Sequence, residues 1–237
     1  MIRAWPYIAL LFVISLLMTG SLVHHDILQT HDYKYAFIRG LAMHQSWREG
    51  DLLCRWVPYL IHGYGYPALN FYPPIFSWVM AVLLFILPAF TAFNVTIFLF
   101  LFASGVAMYY FARSLWGDKG GLVSAVAYLL APYHLVDIFI RGASAEFASF
   151  AFVPLLFLSL QRLAQKIELK NIIWAIVVMA CLLLTHILVS MCFLPLAVIY
   201  ALMSFLKNKT KLLQFLGVLW FVVIFSLLFT PVSWILL

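Results

Sequence analysis

Asp32, Arg141, Glu146 and His186 each stand at the border of an apolar run, and ionisable groups at such depth are costly enough to mark functional sites. The Asp32 carboxylate can take a proton from an attacking hydroxyl. In the first turn of a helix it can equally serve as an N-terminal cap, favoured by the helix dipole. Arg141 and Glu146 lie five apart in IRGASAEFASFAFVPL, residues 140–155. Paired, they make a structural ion pair; unpaired, the planar guanidinium suits a phosphate, and the carboxylate is left to orient a base or hold a cation. His186, in LLLTHILVS, reads either as a proton carrier or phosphate donor, or as a hydrogen-bonded residue at a helix end.

These residues need elements to hold them. In HDYKYAFIRGLAMHQSWREG, residues 31–50, the residues Phe37, Ile38, Leu41, Ala42 and Gln45 share one helical side while Lys34, Arg39, Arg48 and Glu49 fall largely elsewhere. That pattern predicts a helix lying on a membrane, with Asp32 in its first turn. His31 and His44 flank the same segment, and His31 with Asp32 is a candidate ligand pair for a divalent ion, although the spacing to His44 matches no recognised metal motif. The next stretch, RWVPYLIHGYGYPALNFYPPIFSWV, residues 55–79, combines Gly63, Gly65, Pro67, Pro73 and Pro74 with Tyr64, Tyr66 and Tyr72. It reads as a shaped turn whose rings form either an interfacial aromatic belt or a platform for a sugar ring or prenyl chain.

The 237 residues are 66% hydrophobic, 18% aromatic and 9% charged, and the charged side chains are too few to cover a soluble core of this size. The expected fold is therefore all-α, a polytopic membrane helix bundle, and the expected partner is the lipid bilayer. Although the formal net charge is +6, the basic residues are scattered singly between apolar runs, which excludes a nucleic-acid partner. Cys54, Cys181 and Cys192 form no disulfide or zinc framework. Apolar runs at 5–23, 71–90, 93–112, 121–140, 147–160, 172–185, 187–206 and 215–237 are long enough to suggest about seven spans plus interfacial or re-entrant helices in the first loop. The chain is expected to be one transmembrane domain, 1–237, with a loop over 24–92. It ends inside the apolar run TPVSWILL, so it reads as the N-terminal part of a longer protein.

Lys and Arg set the sidedness. Arg113, Lys119, Arg162, Lys166, Lys170, Lys207, Lys209 and Lys211 share one face, expected to be cytoplasmic, and Arg141 with His186 falls on the other. The long loop joins Arg141 only if 71–90 does not span. Pro73-Pro74, Pro88 and the short link before Phe93 favour that arrangement, with the N-terminus inside and Asp32 outside.

The order of these features resembles the GT-C class of membrane glycosyltransferases, with a first span, a long outer loop carrying an acidic residue, an aromatic Pro-Pro segment and a second outer acidic residue. The wording of 31–79, followed by RGASAEFASFAFVPL and LLLTHILVS, resembles more closely the bacterial membrane family named as 6-pyruvoyl-tetrahydropterin-synthase-related. The resemblance covers essentially the whole chain, and nothing in the chain suggests pterin chemistry. It implies an inverting transfer of a sugar from a polyprenyl-phosphate donor on the outer face of a bacterial inner membrane. Asp32 and Glu146 would be catalytic, and Arg141 and His186 would bind substrate, with His44, Tyr64, Tyr66 and Tyr72 lining the site. A single Asp32 preceded by His31 departs from the paired acids of several GT-C branches, which weakens the case for a divalent metal ion and leaves it an open cofactor with His31 and Asp32 as its candidate ligands. A transporter or flippase of a lipid-linked anion, and an inactive truncated membrane subunit, are the alternative readings.

Overall fold

The computed structural model describes residues 4–22, 29–70, 72–206 and 212–229. Expectations about Phe71, Lys207, Lys209, Lys211 and the TPVSWILL ending lie outside the described residues. The described residues are mostly helical, and β pairing among them is limited to an isolated antiparallel bridge between Val57 and Tyr66.

Helix α1 (Trp5–Thr19) starts with Pro6 in its first turn, where a missing N–H costs nothing. Helix α4 (Ala89–Leu129) is interrupted at Gly117, whose φ of 73° is open to glycine without strain. Past that point the chain folds back on itself. A Cβ on Gly105 would lie 3.0 Å from the Leu129 side chain, one on Gly121 would lie 2.9 Å from the Tyr109 carbonyl, and Tyr109 donates to Asp118 at 2.9 Å. The returning arm breaks at Leu130 and continues as α5 (Pro132–Val136), a wide π turn (Asp137–Arg141), α6 (Ser144–Ser149) and α7 (Phe152–Gln165). Helices α8 (Leu169–Leu183), α9 (Ile187–Leu206) and α10 (Leu212–Phe229) complete the bundle.

Among the described residues, four stretches are long and apolar enough to cross a membrane: Trp5–Leu22, Ala89–Arg141, Ser144–Gln165 and Ile187–Leu206. The expected runs 93–112 and 121–140 both fall in Ala89–Arg141, as the two arms on either side of Gly117. The run at 71–90 yields only α3 (Ile75–Leu83), nine residues long. At 1.5 Å per residue such a helix is about 14 Å long, less than half of a hydrocarbon core of about 30 Å.

Helix α2 (Tyr33–Arg48) packs along α3, and Gly40 makes the approach possible: a Cβ there would come within 2.2 Å of Met80 Sδ. The buried side of α2 is Tyr33, Ala36, Gly40, Ala42, Met43 and Ser46; of the expected side only Ala42 belongs to it, while Phe37, Ile38, Leu41 and Gln45 are partly buried. The small residues admit α3, whereas Phe37 stacks on Phe90 and meets Phe93 edge-on from the flank. The apolar interior divides into a core of α1, α3, α4 and α6 around Leu11, Ile97, Leu101 and Phe147, and a second core of α7 to α10 around Leu156, Leu160, Met179 and Ala197. A small third core under the first loop joins Met43, Cys54, Val57 and Ala81.

Candidate functional site

The centre of the site is Gly142. It closes the π turn in the left-handed region at φ 64°, and a Cβ there would strike Thr30 Oγ1 at 2.1 Å. Without that Cβ, residues 30–33 lie directly on the turn. The amide of Asp32 donates to the Arg141 carbonyl at 2.9 Å, and that of His31 to the Ile140 carbonyl at 3.3 Å. The first loop and the α5–α6 segment are thereby joined through their backbones, and Asp32 stands at the same end of the bundle as Arg141 and Glu146. Asp32 occupies the N-cap position of α2 but its side chain makes no capping bond; Thr30 Oγ1 accepts from the Tyr33 amide instead. The Asp32 side chain is exposed.

Arg141 holds three partners. Its Nη1 donates to Asp137 Oδ1 at 2.6 Å and to the Tyr133 hydroxyl at 2.7 Å, and its Nη2 donates to Glu146 Oε2 at 2.8 Å. Tyr133 in turn donates to Glu146 Oε1 at 2.5 Å. Arg141 and Glu146 are therefore paired, as the structural alternative for their spacing expects. Asp137 is fully buried and its Oδ2 has no hydrogen-bond partner. Two carboxylates thus share one guanidinium that still reaches water, so removing the cation costs less than the about 3–5 kcal/mol of a fully buried pair.

His186 sits between α8 and α9 and accepts from the Val189 amide through Nδ1 at 3.2 Å, which leaves Nε2 to carry the proton of the neutral ring. Burial pushes its pKa below the ordinary value; the Glu146 charge opposes that shift and the Arg141 charge adds to it. The hydrogen bond is the one expected of a helix-end residue, and the ring also lies in the field of the Arg141 cluster.

Arg39 approaches from α2. Its guanidinium carbon lies 3.5 Å from the centre of the Tyr72 ring, within the range of a cation–π contact. Arg39 lies in the field of Asp32, and Tyr72 lies in the fields of Arg39, Asp32 and Glu146, so Tyr72 links the two halves of the site. The Tyr72 hydroxyl is pushed up mainly by burial and stays neutral.

Of the residues expected from sequence, Asp32, Arg141, Glu146, His186 and Tyr72 are brought together. Others stand apart. His44 Nδ1 pairs with the Ala81 carbonyl at 3.2 Å and its ring meets Phe85. Twelve residues along a helix from Asp32, it is about 18 Å away along the axis. Tyr64 is 83% exposed, and Tyr66 is held in the bridge to Val57 beside Trp56, whose indole fills the place of a Gly65 side chain. His31 is exposed next to Asp32, and among the described residues no three His, Cys, Asp or Glu side chains gather as a metal group. Sequence reasoning missed Tyr133, Asp137 and Arg39. The first two were readable in the repeat Tyr133, Asp137, Arg141, which places one side chain per helical turn on a single face. Arg39 follows Asp32 by two turns on the same side of α2.

Beside this cluster opens a cavity of about 350 Å³, lined by Tyr133, His134, Phe150, Phe157 and Tyr200 among others. Its walls are apolar, and Tyr133 belongs both to the cavity and to the polar network.

A polytopic helical membrane protein with a buried ionic cluster at one end is the class that these features define. The 6-pyruvoyl-tetrahydropterin synthase related domain, a membrane protein family, matches residues 69–235, and the chain belongs to that family. An uncharacterized protein of Lactococcus lactis subsp. cremoris (strain MG1363) is 23% identical over 208 residues, which cover 85% of this chain and 34% of that protein. The chain thus spans about a third of the length of that relative. No solved structure matches it.

Proposed function

We propose that this chain carries the membrane portion of a glycosyltransferase of GT-C type, which moves a sugar from a polyprenyl-phosphate donor to an acceptor at the outer face of a bacterial inner membrane. The observation that carries the reading is the backbone bond between Asp32 and Arg141, which supports a single reaction centre built from the first loop and the α5–α6 segment. Exposed and without a capping bond, Asp32 is the base: its carboxylate takes the proton of the acceptor hydroxyl. The freed oxygen forms a bond to the anomeric carbon from the side opposite the phosphate. The bond from that carbon to the phosphate oxygen breaks, its electron pair leaves with the polyprenyl phosphate, and the configuration inverts. Glu146, fixed by Arg141 and Tyr133, orients the acceptor, and His186 Nε2–H donates a hydrogen bond to the departing phosphate. The apolar cavity beside Tyr133 accommodates the first units of the prenyl chain.

The test follows release of polyprenyl phosphate from a panel of radiolabelled polyprenyl-phosphate hexoses in inverted and right-side-out vesicles. Asp32→Asn is expected to lower turnover by at least about a hundredfold, the usual worth of a positioned base. Unchanged turnover in a correctly inserted Asp32→Asn protein, or no release by the wild type with any donor of the panel, overturns the reading.

A further inference from the structure

We infer that Arg39, stacked on Tyr72, is the cation that binds the phosphate in this site, and that Arg141 is not. The inference rests on the glycosyltransferase reading for the identity of the anion, a lipid phosphate, but its geometry stands independently.

The two arginines differ in what already occupies them. Arg141 gives its Nη1 and Nη2 to Asp137, Tyr133 and Glu146 at 2.6–2.8 Å. A phosphate arriving there meets two carboxylates around one cation, so it is repelled unless the ion pairs first break. Arg39 is half-buried and donates no hydrogen bond to any described residue, and its Nε is buried with no partner. A buried Nε–H without an acceptor is costly, and an anion in the guanidinium plane supplies one. Tyr72 covers one face at 3.5 Å without using any N–H, so the donating edge remains open while the plane is held in orientation. Arg39 also follows Asp32 on the same side of α2 and feels its charge. Seven residues on, Arg39 lies about 10 Å along α2 from Asp32, which leaves room for a sugar between a phosphate on Arg39 and the proposed base.

The arrangement also assigns a reason to the buried side of α2. Because Gly40 carries no Cβ, the Met80 side chain packs directly on α2 beside Arg39, and this contact with α3 sets the depth of that arginine.

The probe is farnesyl phosphate, with farnesol as the neutral control, titrated into the full chain in detergent while its tryptophan fluorescence is followed. The wild type is expected to bind farnesyl phosphate more tightly than farnesol. Arg39→Gln should weaken binding of the phosphate by about tenfold or more, the worth of a charge-assisted hydrogen bond, and leave farnesol unaffected. Arg39→Lys keeps the charge and loses the fork, so a several-fold loss is expected. Tyr72→Phe preserves the ring face and should bind as the wild type does, whereas Tyr72→Ala should weaken the phosphate selectively. These conservative variants keep the test decisive if Arg39→Gln fails to fold. Equal affinity of the wild type for the two ligands, or Arg39→Gln and Arg39→Lys both binding farnesyl phosphate normally, overturns the inference. Selective binding through Arg39 without any sugar transfer removes the enzyme reading and leaves the anion site standing.

Discussion

The two ends of the bundle hold charged residues in opposite ways. At one end Asp137, Arg141 and Glu146 pack into a network in which Asp137 has no exposed surface and Glu146 keeps 16% of its side-chain surface. At the other end Arg113 pairs with Asp118 at 2.6 Å, and Lys166 and Lys170 bracket Glu168 with their own side chains 73% and 79% exposed. The Ser114 hydroxyl donates to Gln161 at 2.9 Å, which ties α4 to α7 at that end. In the second set no carboxylate is fully buried, Asp118 keeping 26% and Glu168 30% of its side-chain surface, so water reaches each acid and the exposed lysine pairs are individually cheap. In the first set the Asp137 carboxylate is withdrawn from water while Arg141 still reaches it, and a buried acid held beside a second charge in this way marks a candidate site.

The comparison breaks most completely if both ends face the same compartment. With Cys181 and Cys192 replaced by Ala and Cys54 buried, Lys34→Cys reports on the first end and Lys170→Cys on the second. In intact cells a membrane-impermeant maleimide should label the first and spare the second, and lysis should make both reactive. Labelling of both in intact cells, or of Lys170→Cys alone, reverses the proposed orientation and with it the outer placement of Asp32.

Stability separates the ends next. Arg141→Gln leaves Asp137 buried beside Glu146 with no cation between them. Because the Arg141 side chain is itself 38% exposed, the loss should sit below the full range for a buried pair, about 2 kcal/mol, read as a lower melting temperature in detergent. A melting temperature equal to that of the wild type would mean that the cluster is solvated after all.

How much of this was legible beforehand depends on the distance over which each interaction acts. The membrane class follows from composition, and the short α3 follows from Pro73-Pro74 and Pro88, which bound the run locally. The meeting of Asp32, Arg141, Glu146 and His186 was open as a possibility because sidedness put them all on one face. Its cause was not open: Gly142 admits the 30–33 segment, and a glycine that serves a remote backbone looks in sequence like any turn glycine. The same holds for Gly40, which decides the buried side of α2 by admitting Met80 from another element. Arg39 was read as part of the polar side because charge alone does not reveal that Tyr72 covers it.

A pH titration sharpens the comparison further. Burial lowers the His186 pKa in the folded protein, and Glu146 only partly offsets this, so the unfolded chain binds the proton more readily. Where the unfolded state binds more protons, stability rises with pH. The contribution of His186 is thus complete above its ordinary value of 6.5 and is lost as pH falls below it. The melting temperature should decline between about pH 7.5 and about pH 5.5, and His186→Gln should flatten that decline. An identical slope in the variant would assign the proton uptake to other groups.

The smallest effect belongs to the opposite end, and it is the control for everything above. Lys166 and Lys170 both hold Glu168 below the usual carboxylate range, yet all three side chains reach water. Glu168→Gln removes one acceptor from two mobile ammonium groups that water solvates equally well, so no change in melting temperature is expected at physiological salt. If Glu168→Gln were instead to match Arg141→Gln, the charges at the two ends would be doing the same structural job. The buried cluster would then carry no special claim to be the site, and the functional reading would rest on Asp32, Arg39 and Tyr72 alone.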